Sequence, residues 1–157
     1  MRVNWKKLLL CIAIPLAVGG LAAALSGGMG EAYRNYIQPP LSPPAWLFPV
    51  VWTILYGLMG YASYLVGESE VDNKKALILY GVQLALNFLW PILFFRFDMV
   101  LAALILLVVL WVAVLLTIRA FSEVNELAGD LLIPYILWLS FALYLNFGIF
   151  LLNQLRI

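Results

Sequence analysis

The chain has 157 residues, of which 66% are hydrophobic and 11% charged, and its formal net charge is +1. An ordinary soluble domain has about 25% charged residues, so this chain has more apolar surface than it can bury, and the excess is expected to face lipid. The near-neutral charge and the lack of a basic run argue against nucleic acid as a partner. The sequence has no histidine, which excludes an imidazole base, a histidine-ligated haem and an ordinary zinc site, and no metal is expected.

The few charged residues divide the chain into apolar runs long enough to cross a hydrocarbon core about 30 Å thick as helices. These runs lack the alternating polarity of membrane β-strands. The sequence therefore predicts an all-α membrane protein, a five-transmembrane-helix bundle that forms a single domain over residues 1–157. The predicted spans are 8–25, 46–66, 76–95, 99–118 and 131–155.

The first span follows Arg2, Lys6 and Lys7, an arrangement that also resembles a cleaved signal peptide. Its 18 uncharged residues exceed the length of a signal core, which is about 7–15 residues, so a retained helix is favoured. Pro15 inside this span predicts a kink. Cys11, the single cysteine, is interpreted as a small buried hydrophobic residue.

Lysine and arginine are distributed unequally between the two sides of the predicted bundle. The N-terminus and the second and fourth loops hold six, whereas the other side holds three. The positive-inside rule therefore predicts a cytoplasmic N-terminus. The start of the chain lacks an Arg- and Ser-rich transit peptide, and a bacterial cell membrane is favoured.

The first loop, residues 26–45, is rich in proline and is predicted to lie on the outer side. Prolines at 39, 40, 43, 44 and 49 fix φ, so the segment before the second span is expected to be stiff although irregular. The second helix is predicted to begin between Pro44 and Pro49, because proline is tolerated in the first turn. This loop is interpreted as a rigid lid over a pocket within the membrane.

Three predicted helices each have aromatic and amide residues at helical spacing. Such residues serve either as hydrogen-bonding contacts between helices or as the lining of an apolar pocket with a few polar groups, and the pattern alone leaves the two interpretations about even. No acidic or basic residue lies near the middle of a span, which argues against active ion transport. The residues are Trp52 and Tyr56 on the second span, Gln83, Asn87 and Trp90 on the third, and Trp138, Ala142, Leu145 and Asn146 on the fifth.

Small residues indicate where helix backbones approach one another. Gly57 and Gly60 on the second span, and Gly19 on the first, are expected to serve contacts within the bundle. Gly81 and Ala85 on the third span predict a face for a homodimer, although internal packing uses the same spacing.

With these motifs in chain order, the sequence resembles the TspO/MBR family, the tryptophan-rich sensory proteins related to the mitochondrial translocator protein, over essentially its whole length. The motifs that carry the resemblance are Pro43-Pro44-x-Trp46-x-Phe48-Pro49-x-Val51-Trp52-x-x-Leu55-Tyr56-x-x-Met59-Gly60, Gln83-x-x-x-Asn87-x-x-Trp90 and Pro134-Tyr135-x-x-Trp138-x-x-Phe141-Ala142-x-x-Leu145-Asn146.

The resemblance implies a five-helix bundle, usually dimeric, whose first loop closes a pocket for porphyrins and for isoquinoline carboxamide or benzodiazepine ligands. Trp52 and Trp138 match the tryptophans that the family associates with light-dependent porphyrin breakdown, and Arg34 is the candidate cation for a porphyrin propionate. No cofactor is required; protoporphyrin IX is expected as a metal-free ligand. The implied pocket positions are Ala23, Tyr33, Pro43, Trp52, Asn87, Trp90, Trp138 and Ala142, to which the helical stripes add Tyr56, Gln83 and Leu145.

The chain departs from the family pattern in its first loop. Leu41 stands where a tryptophan is common, and Ala32-Tyr33 replaces a Trp-Tyr pair, so the lid is less aromatic than is typical. The spacing between Tyr144 and Arg156 exceeds that of the pattern proposed for cholesterol recognition, so cholesterol is not expected as a partner.

Three functions remain open from the sequence. The leading hypothesis is a porphyrin-binding membrane protein that senses, sequesters or photochemically degrades tetrapyrroles, without a conventional catalytic constellation. The alternatives are a passive transporter of porphyrins or other lipophilic molecules, and a structural membrane scaffold whose stripes serve only packing.

Overall fold

The structure is a computed structural model that describes residues 2–155, so Arg156, which entered the orientation and cholesterol arguments, lies outside the described residues. Within that range, five helices are long and apolar enough to cross a membrane, which confirms the predicted all-helical, five-span architecture. The helices are α1 (Trp5–Leu25), α2 (Met29–Asn35), α3 (Leu47–Gly67), α4 (Lys74–Pro91), α5 (Val100–Val124), α6 (Glu126–Asp130) and α7 (Ile133–Phe150).

The two short helices, α2 and α6, were not predicted. Helix α2 lies within the first loop, and Gly28 before it has φ of 97°, a left-handed conformation that suits glycine. Helix α6 begins after Asn125, whose Oδ1 accepts a hydrogen bond from the Ala128 N–H at 3.3 Å, a typical N-cap. Only the proline-containing part of the first loop is irregular, as predicted, and α3 begins at Leu47 within the predicted interval.

The helix of the fourth span extends beyond its predicted end at residue 118. Helix α5 continues to Val124, and Arg119 and Glu123 lie on its exposed face. The charged residues at 119 and 123 therefore do not end this helix. Helices α4 and α7 continue into π-helical turns over Ile92–Arg96 and Leu151–Leu155, so these spans end close to their predicted boundaries.

Helices α1 and α3 pack backbone against backbone at Gly60. A Cβ placed on Gly60 would lie 2.4 Å from Ile12 Cα and 2.7 Å from the Cys11 carbonyl oxygen. The predicted close approach is confirmed at this glycine, since no side chain fits there. It is wrong at Gly57, where a Cβ would meet nothing within 4 Å.

Gly19 has a different role, because it accommodates a ring. A Cβ at this position would lie 2.2 Å from Cε2 of Tyr56, so the phenol of α3 packs directly on the backbone of α1. Gly81 and Ala85 both lie on the exposed face of α4. Their outward position leaves the homodimer a prediction.

Polar contacts fasten the ends of α1 and α3 that lie away from the first loop. Lys7 Nζ donates to the Gly67 carbonyl oxygen at 3.1 Å and forms an ion pair with Glu68. The Asn4 N–H donates to the Tyr64 hydroxyl at 3.0 Å. The start of α1 is thus tied to the end of α3.

Candidate functional site

Four buried polar side chains from α3, α4 and α7 form a hydrogen-bonded cluster, here called the Asn87 hub: Tyr56, Gln83, Asn87 and Tyr135. The Tyr56 hydroxyl donates to Asn87 Oδ1 at 2.9 Å, and Asn87 Nδ2 donates to the Tyr135 hydroxyl at 2.6 Å. The Tyr135 hydroxyl in turn donates to Gln83 Oε1 at 2.8 Å. The hub satisfies polar groups that would be costly to leave unpaired in an apolar interior, and it joins three helices.

A second polar contact lies closer to the first loop. Trp90 Nε1 donates to Asn146 Oδ1 at 3.0 Å, and Asn146 Nδ2 donates to the Val100 carbonyl oxygen at 3.1 Å. Asn146 thereby links α4, α5 and α7 at the end of the bundle that the first loop covers.

Below the first loop lies a set of rings, here called the aromatic group: Tyr33, Phe48, Trp90, Phe94 and Trp138. Phe48 lies between two of them, with its ring centroid 4.9 Å from that of Tyr33 and 5.8 Å from that of Trp138, both edge to face. Trp90 stacks on Phe94 at 5.2 Å. These are favourable aromatic geometries, and they bring together rings from α2, α3, α4 and α7, with Phe94 in the π-helical turn after α4.

The first loop folds back on the aromatic group through Tyr33. The Tyr33 hydroxyl donates to the Pro43 carbonyl oxygen at 2.9 Å, and Gln38 Nε2 donates to the Tyr33 carbonyl oxygen at 2.8 Å. Burial raises the pKa of the Tyr33 phenol, because the charged phenolate loses its hydration there. The phenol therefore remains a neutral donor that holds the proline segment over the rings.

Trp138 differs from two other tryptophans in its polar atom. The indole N–H groups of Trp90 and Trp111 have partners, at 3.0 Å and 2.9 Å. Trp138 Nε1 is buried and has no hydrogen-bond partner among the described residues. Most buried N–H groups are paired, so this group is a candidate for a ligand contact.

A small cavity and a larger groove lie near these rings. The small cavity, about 30 Å³, lies inside the aromatic group, and the large groove, about 430 Å³, lies between α3 and α7 on the outside of the bundle. Phe48 lines the cavity and Trp138 lines the groove, so their edge-to-face contact separates the two. The cavity is lined by Tyr33, Phe48, Trp90, Phe94, Ala142, Leu145, Asn146 and Ile149. The groove is lined by Val51, Ile54, Leu55, Leu58, Pro134, Leu137, Trp138 and Phe141.

Most of the predicted site residues are therefore divided among the cavity, the groove and the Asn87 hub. Trp52 stacks on Tyr56 at 5.5 Å beside the Asn87 hub, and Ala23 is half-buried on α1. Arg34 is exposed and lines neither space. Tyr33, Trp90, Ala142 and Leu145 line the cavity, Trp138 lines the groove, Pro43 accepts from Tyr33, and Tyr56, Gln83 and Asn87 belong to the hub.

Sequence reasoning missed Phe48, Phe94 and Ile149 as lining residues. Phe48 lies inside the proline and tryptophan motif of the second span, which was a usable signal. Phe94 and Ile149 carry no signal in the sequence, because apolar residues are equally suited to packing and to lipid contact.

The fold and the site together define a multi-pass integral membrane protein with an aromatic site beneath its first extramembrane loop. A profile of the TspO/MBR family matches residues 11–152, and the chain belongs to this family.

The chain is also similar to several named proteins over nearly its full length. It is 41% identical to the tryptophan-rich protein TspO of Chlorobaculum tepidum over 93% of this chain and 95% of the relative. It is 37% identical to the tryptophan-rich sensory protein of Cereibacter sphaeroides, over 99% and 97% of the two chains. It is 37% identical to the translocator protein of Bos taurus, over 91% and 88%.

Proposed function

We propose that the protein binds a metal-free tetrapyrrole, of the protoporphyrin class, against Trp138 and the aromatic group. The observation that carries this proposal is the buried Trp138 N–H, which has no partner among residues 2–155. The Trp138 ring lines an apolar groove, and its centroid lies 5.8 Å from that of Phe48. A porphyrin is a flat π-system that stacks on indoles, and its nitrogens and carboxylates accept hydrogen bonds. The resemblance to the TspO/MBR family implies the same ligand class.

The Asn87 hub supports the site indirectly. Its polar atoms bond to one another, so Tyr56, Gln83 and Asn87 position α3, α4 and α7 rather than offer free donors. Trp52 lies at the edge of the hub, with its ring 6.1 Å from that of Tyr135. Under light, Trp52 and Trp138 are the candidate donors of one electron to an excited porphyrin, which is the first step of photochemical breakdown.

The test is a titration with protoporphyrin IX in the dark, followed by tryptophan fluorescence, and then illumination, followed by porphyrin absorbance. We expect saturable quenching, an affinity about tenfold weaker in Trp138→Phe, which loses one N–H donor and part of the stacking area, and slower bleaching in Trp52→Phe. Trp5→Phe is the matched control, because Trp5 is 67% exposed at the far end of α1.

Two results would contradict the proposal. The absence of saturable quenching in the wild type would remove the binding site. Equal affinities of Trp138→Phe and Trp5→Phe would remove Trp138 from it. Normal bleaching in both Trp52→Phe and Trp138→Phe would leave binding intact and exclude the tryptophan photochemistry.

The groove between α3 and α7 supports a second candidate, passive movement of a lipophilic molecule. Its lining is apolar, and Ile54 and Leu137, two of its residues, are exposed on the lipid-facing surface. A molecule dissolved in the bilayer would reach Trp138 by this route without crossing water. Flux of protoporphyrin IX across sealed vesicles that contain the protein, with no chemical change, would favour transport over sensing or breakdown.

A further inference from the structure

Tyr80 of α4 has a hydroxyl group that no described residue satisfies. The residue is 8% exposed, and its ring packs on Phe121 of α5 with the two centroids 5.7 Å apart. The hydroxyl oxygen itself is buried and has no hydrogen-bond partner among residues 2–155. A buried hydroxyl group without a partner is costly, and the large majority of such groups in proteins are paired with protein atoms or with ordered water.

The nearest polar groups to the Tyr80 hydroxyl come from two other helices, Ser63 on α3 and Cys11 on α1. The Ser63 hydroxyl donates to the Gly60 carbonyl oxygen at 2.8 Å, so its proton is used within α3, whereas its oxygen can still accept. The thiol of Cys11 is only a weak donor and a weak acceptor. Neither group bonds to the Tyr80 hydroxyl directly.

The hydrogen bonds of the Asn87 hub lead toward the same part of α4. The Tyr56 hydroxyl donates to Asn87, and Asn87 donates to Tyr135. The Tyr135 hydroxyl donates to Oε1 of Gln83, so within the hub the two N–H groups of Gln83 Nε2 are left for another acceptor. Tyr80 precedes Gln83 by three residues, and the two therefore share a face of α4.

Tyr80, Cys11 and Ser63 also lie at similar depths in the bundle. At a rise of 1.5 Å per residue, Tyr80 and Cys11 lie about 9 Å, and Ser63 about 6 Å, from the ends of their helices that lie away from the first loop. The ion pair of Lys7 and Glu68 lies at that same end. The three side chains therefore converge between α1, α3 and α4, one to two turns inside this ion pair.

We infer that a water molecule is bound between the Tyr80 hydroxyl, Ser63 Oγ and the Gln83 amide, and that it joins the Asn87 hub to α3. Water suits this site because it both donates and accepts. It accepts from Tyr80 and from Gln83 Nε2 and donates to Ser63, which makes three hydrogen bonds, the usual number for a buried water. Among the described residues, no group of acidic or cysteine side chains could hold a metal ion. The inference does not depend on the tetrapyrrole proposal.

The first experiment uses the sign of a stability change. If the hydroxyl is satisfied by water, Tyr80→Phe removes favourable hydrogen bonds and lowers the melting temperature of the purified full chain by about 2–4 °C. If the hydroxyl is unsatisfied, the same substitution removes a costly group and raises the melting temperature. Tyr61→Phe is the matched control, because Tyr61 is 37% exposed, and no change is expected there.

The double variant Tyr80→Phe with Ser63→Ala tests whether the two residues share one partner. Each single substitution should lower the melting temperature, and the double variant should lose less than the two losses added together, because the first substitution already releases the water. Losses that simply add would overturn the shared site.

The second experiment detects the water itself. A crystal structure of the full chain, at a resolution that shows ordered water, should have a peak about 2.7–3.2 Å from both Tyr80 Oη and Ser63 Oγ, and this peak should disappear in Tyr80→Phe. A Tyr80 hydroxyl bonded directly to Ser63, with no water between them, would overturn the inference. So would a higher melting temperature of Tyr80→Phe, or a water that keeps its place when the hydroxyl is removed.

Discussion

The Asn87 hub and the aromatic group lie in the same bundle, but their polar and apolar groups are packed to different degrees. In the hub, the side chains of Tyr56, Asn87, Tyr135 and Gln83 bond in sequence, and each of the four has a partner. In the aromatic group, the Trp138 N–H has none among the described residues, and the rings enclose a cavity of about 30 Å³. The hydrogen bonds of the hub stabilise the packing of three helices, whereas the aromatic group retains an unfilled space.

The two ends of the bundle differ in the same sense. Away from the first loop, α1 and α3 touch at backbone distance and an ion pair joins Lys7 to Glu68. At the other end, the loop is held to α7 by a few side-chain hydrogen bonds and a proline ring. Regions that open for ligands are drawn from the less stable parts of a structure, so opening of the site is expected at the loop end and not at the α1–α3 contact.

The largest effect is expected from adding a methyl group at the backbone contact between α1 and α3. Gly60→Ala places a methyl group 2.4 Å from the Ile12 backbone, so α1 and α3 must separate, at a cost of about 2–3 kcal/mol. Thermal unfolding of the purified protein in detergent measures this loss. Gly57→Ala, on the same helix with open space around it, is the control, and equal melting temperatures for the two variants would contradict the packing argument.

Asn87→Ala tests whether the hub is structural. It leaves the Tyr56 and Tyr135 hydroxyls without their shared partner, and we expect a loss of about 1–2 kcal/mol in stability. The affinity for protoporphyrin IX should change less than in Trp138→Phe, once binding is measured below the unfolding transition. Thr53→Ala is the control, since the Thr53 hydroxyl bonds only to its own helix, at the Pro49 carbonyl oxygen. A folded Asn87→Ala protein that has lost its porphyrin affinity would assign the hub to the binding site.

Phe48→Ala sharpens the comparison by joining the two spaces. The Phe48 ring lies between Tyr33 and Trp138, so its removal connects the inner cavity with the groove that faces lipid. We expect protoporphyrin IX to associate several-fold faster, because it then reaches the inner cavity from the groove. Val50→Ala, an exposed position on the same helix turn, serves as the control. An unchanged association rate would mean that the groove does not lead to the aromatic group.

The elements that sequence reasoning predicted well are those that composition alone determines. Apolar runs located all five spans, and Trp52, Asn87 and Trp138 are each at least partly buried in the bundle. The sequence did not distinguish residues that bond to each other, such as Asn87 and Gln83, from a residue whose N–H is left over, such as Trp138. That distinction depends on rotamers and on the relative rotation of helices, which periodicity does not encode.

The contacts between the first loop and the end of α7 could not be predicted from the sequence for a similar reason. Asn153 lies near the end of the chain, far from Ile37 in sequence, and it reaches the loop only because a π-helical turn shifts the register of α7. Nothing in the pattern Leu151-Leu152-Asn153 announces such a turn. Pairings that depend on one irregular turn have no periodic signal, whereas the regular part of α7 does.

The smallest expected effect concerns the other attachment of the loop, between the Tyr36 hydroxyl and the Asp98 carboxylate. Burial, and then the hydrogen bond to Asp98, raise the pKa of Tyr36 well above its ordinary value, so the folded state favours the neutral phenol. The resulting stabilisation is present below the unfolded pKa of about 10 and is lost as the pH rises through the folded pKa.

The melting temperature of the wild type should therefore exceed that of Tyr36→Phe near neutral pH, and the difference should shrink at pH values above about 10. Tyr33 is present in both proteins, so its own raised pKa cancels in the comparison. A difference that stays constant or grows across this range would show that the contact does not depend on the neutral phenol, and the loop would then be held on this side by packing of the Tyr36 ring against Phe94, 5.5 Å away.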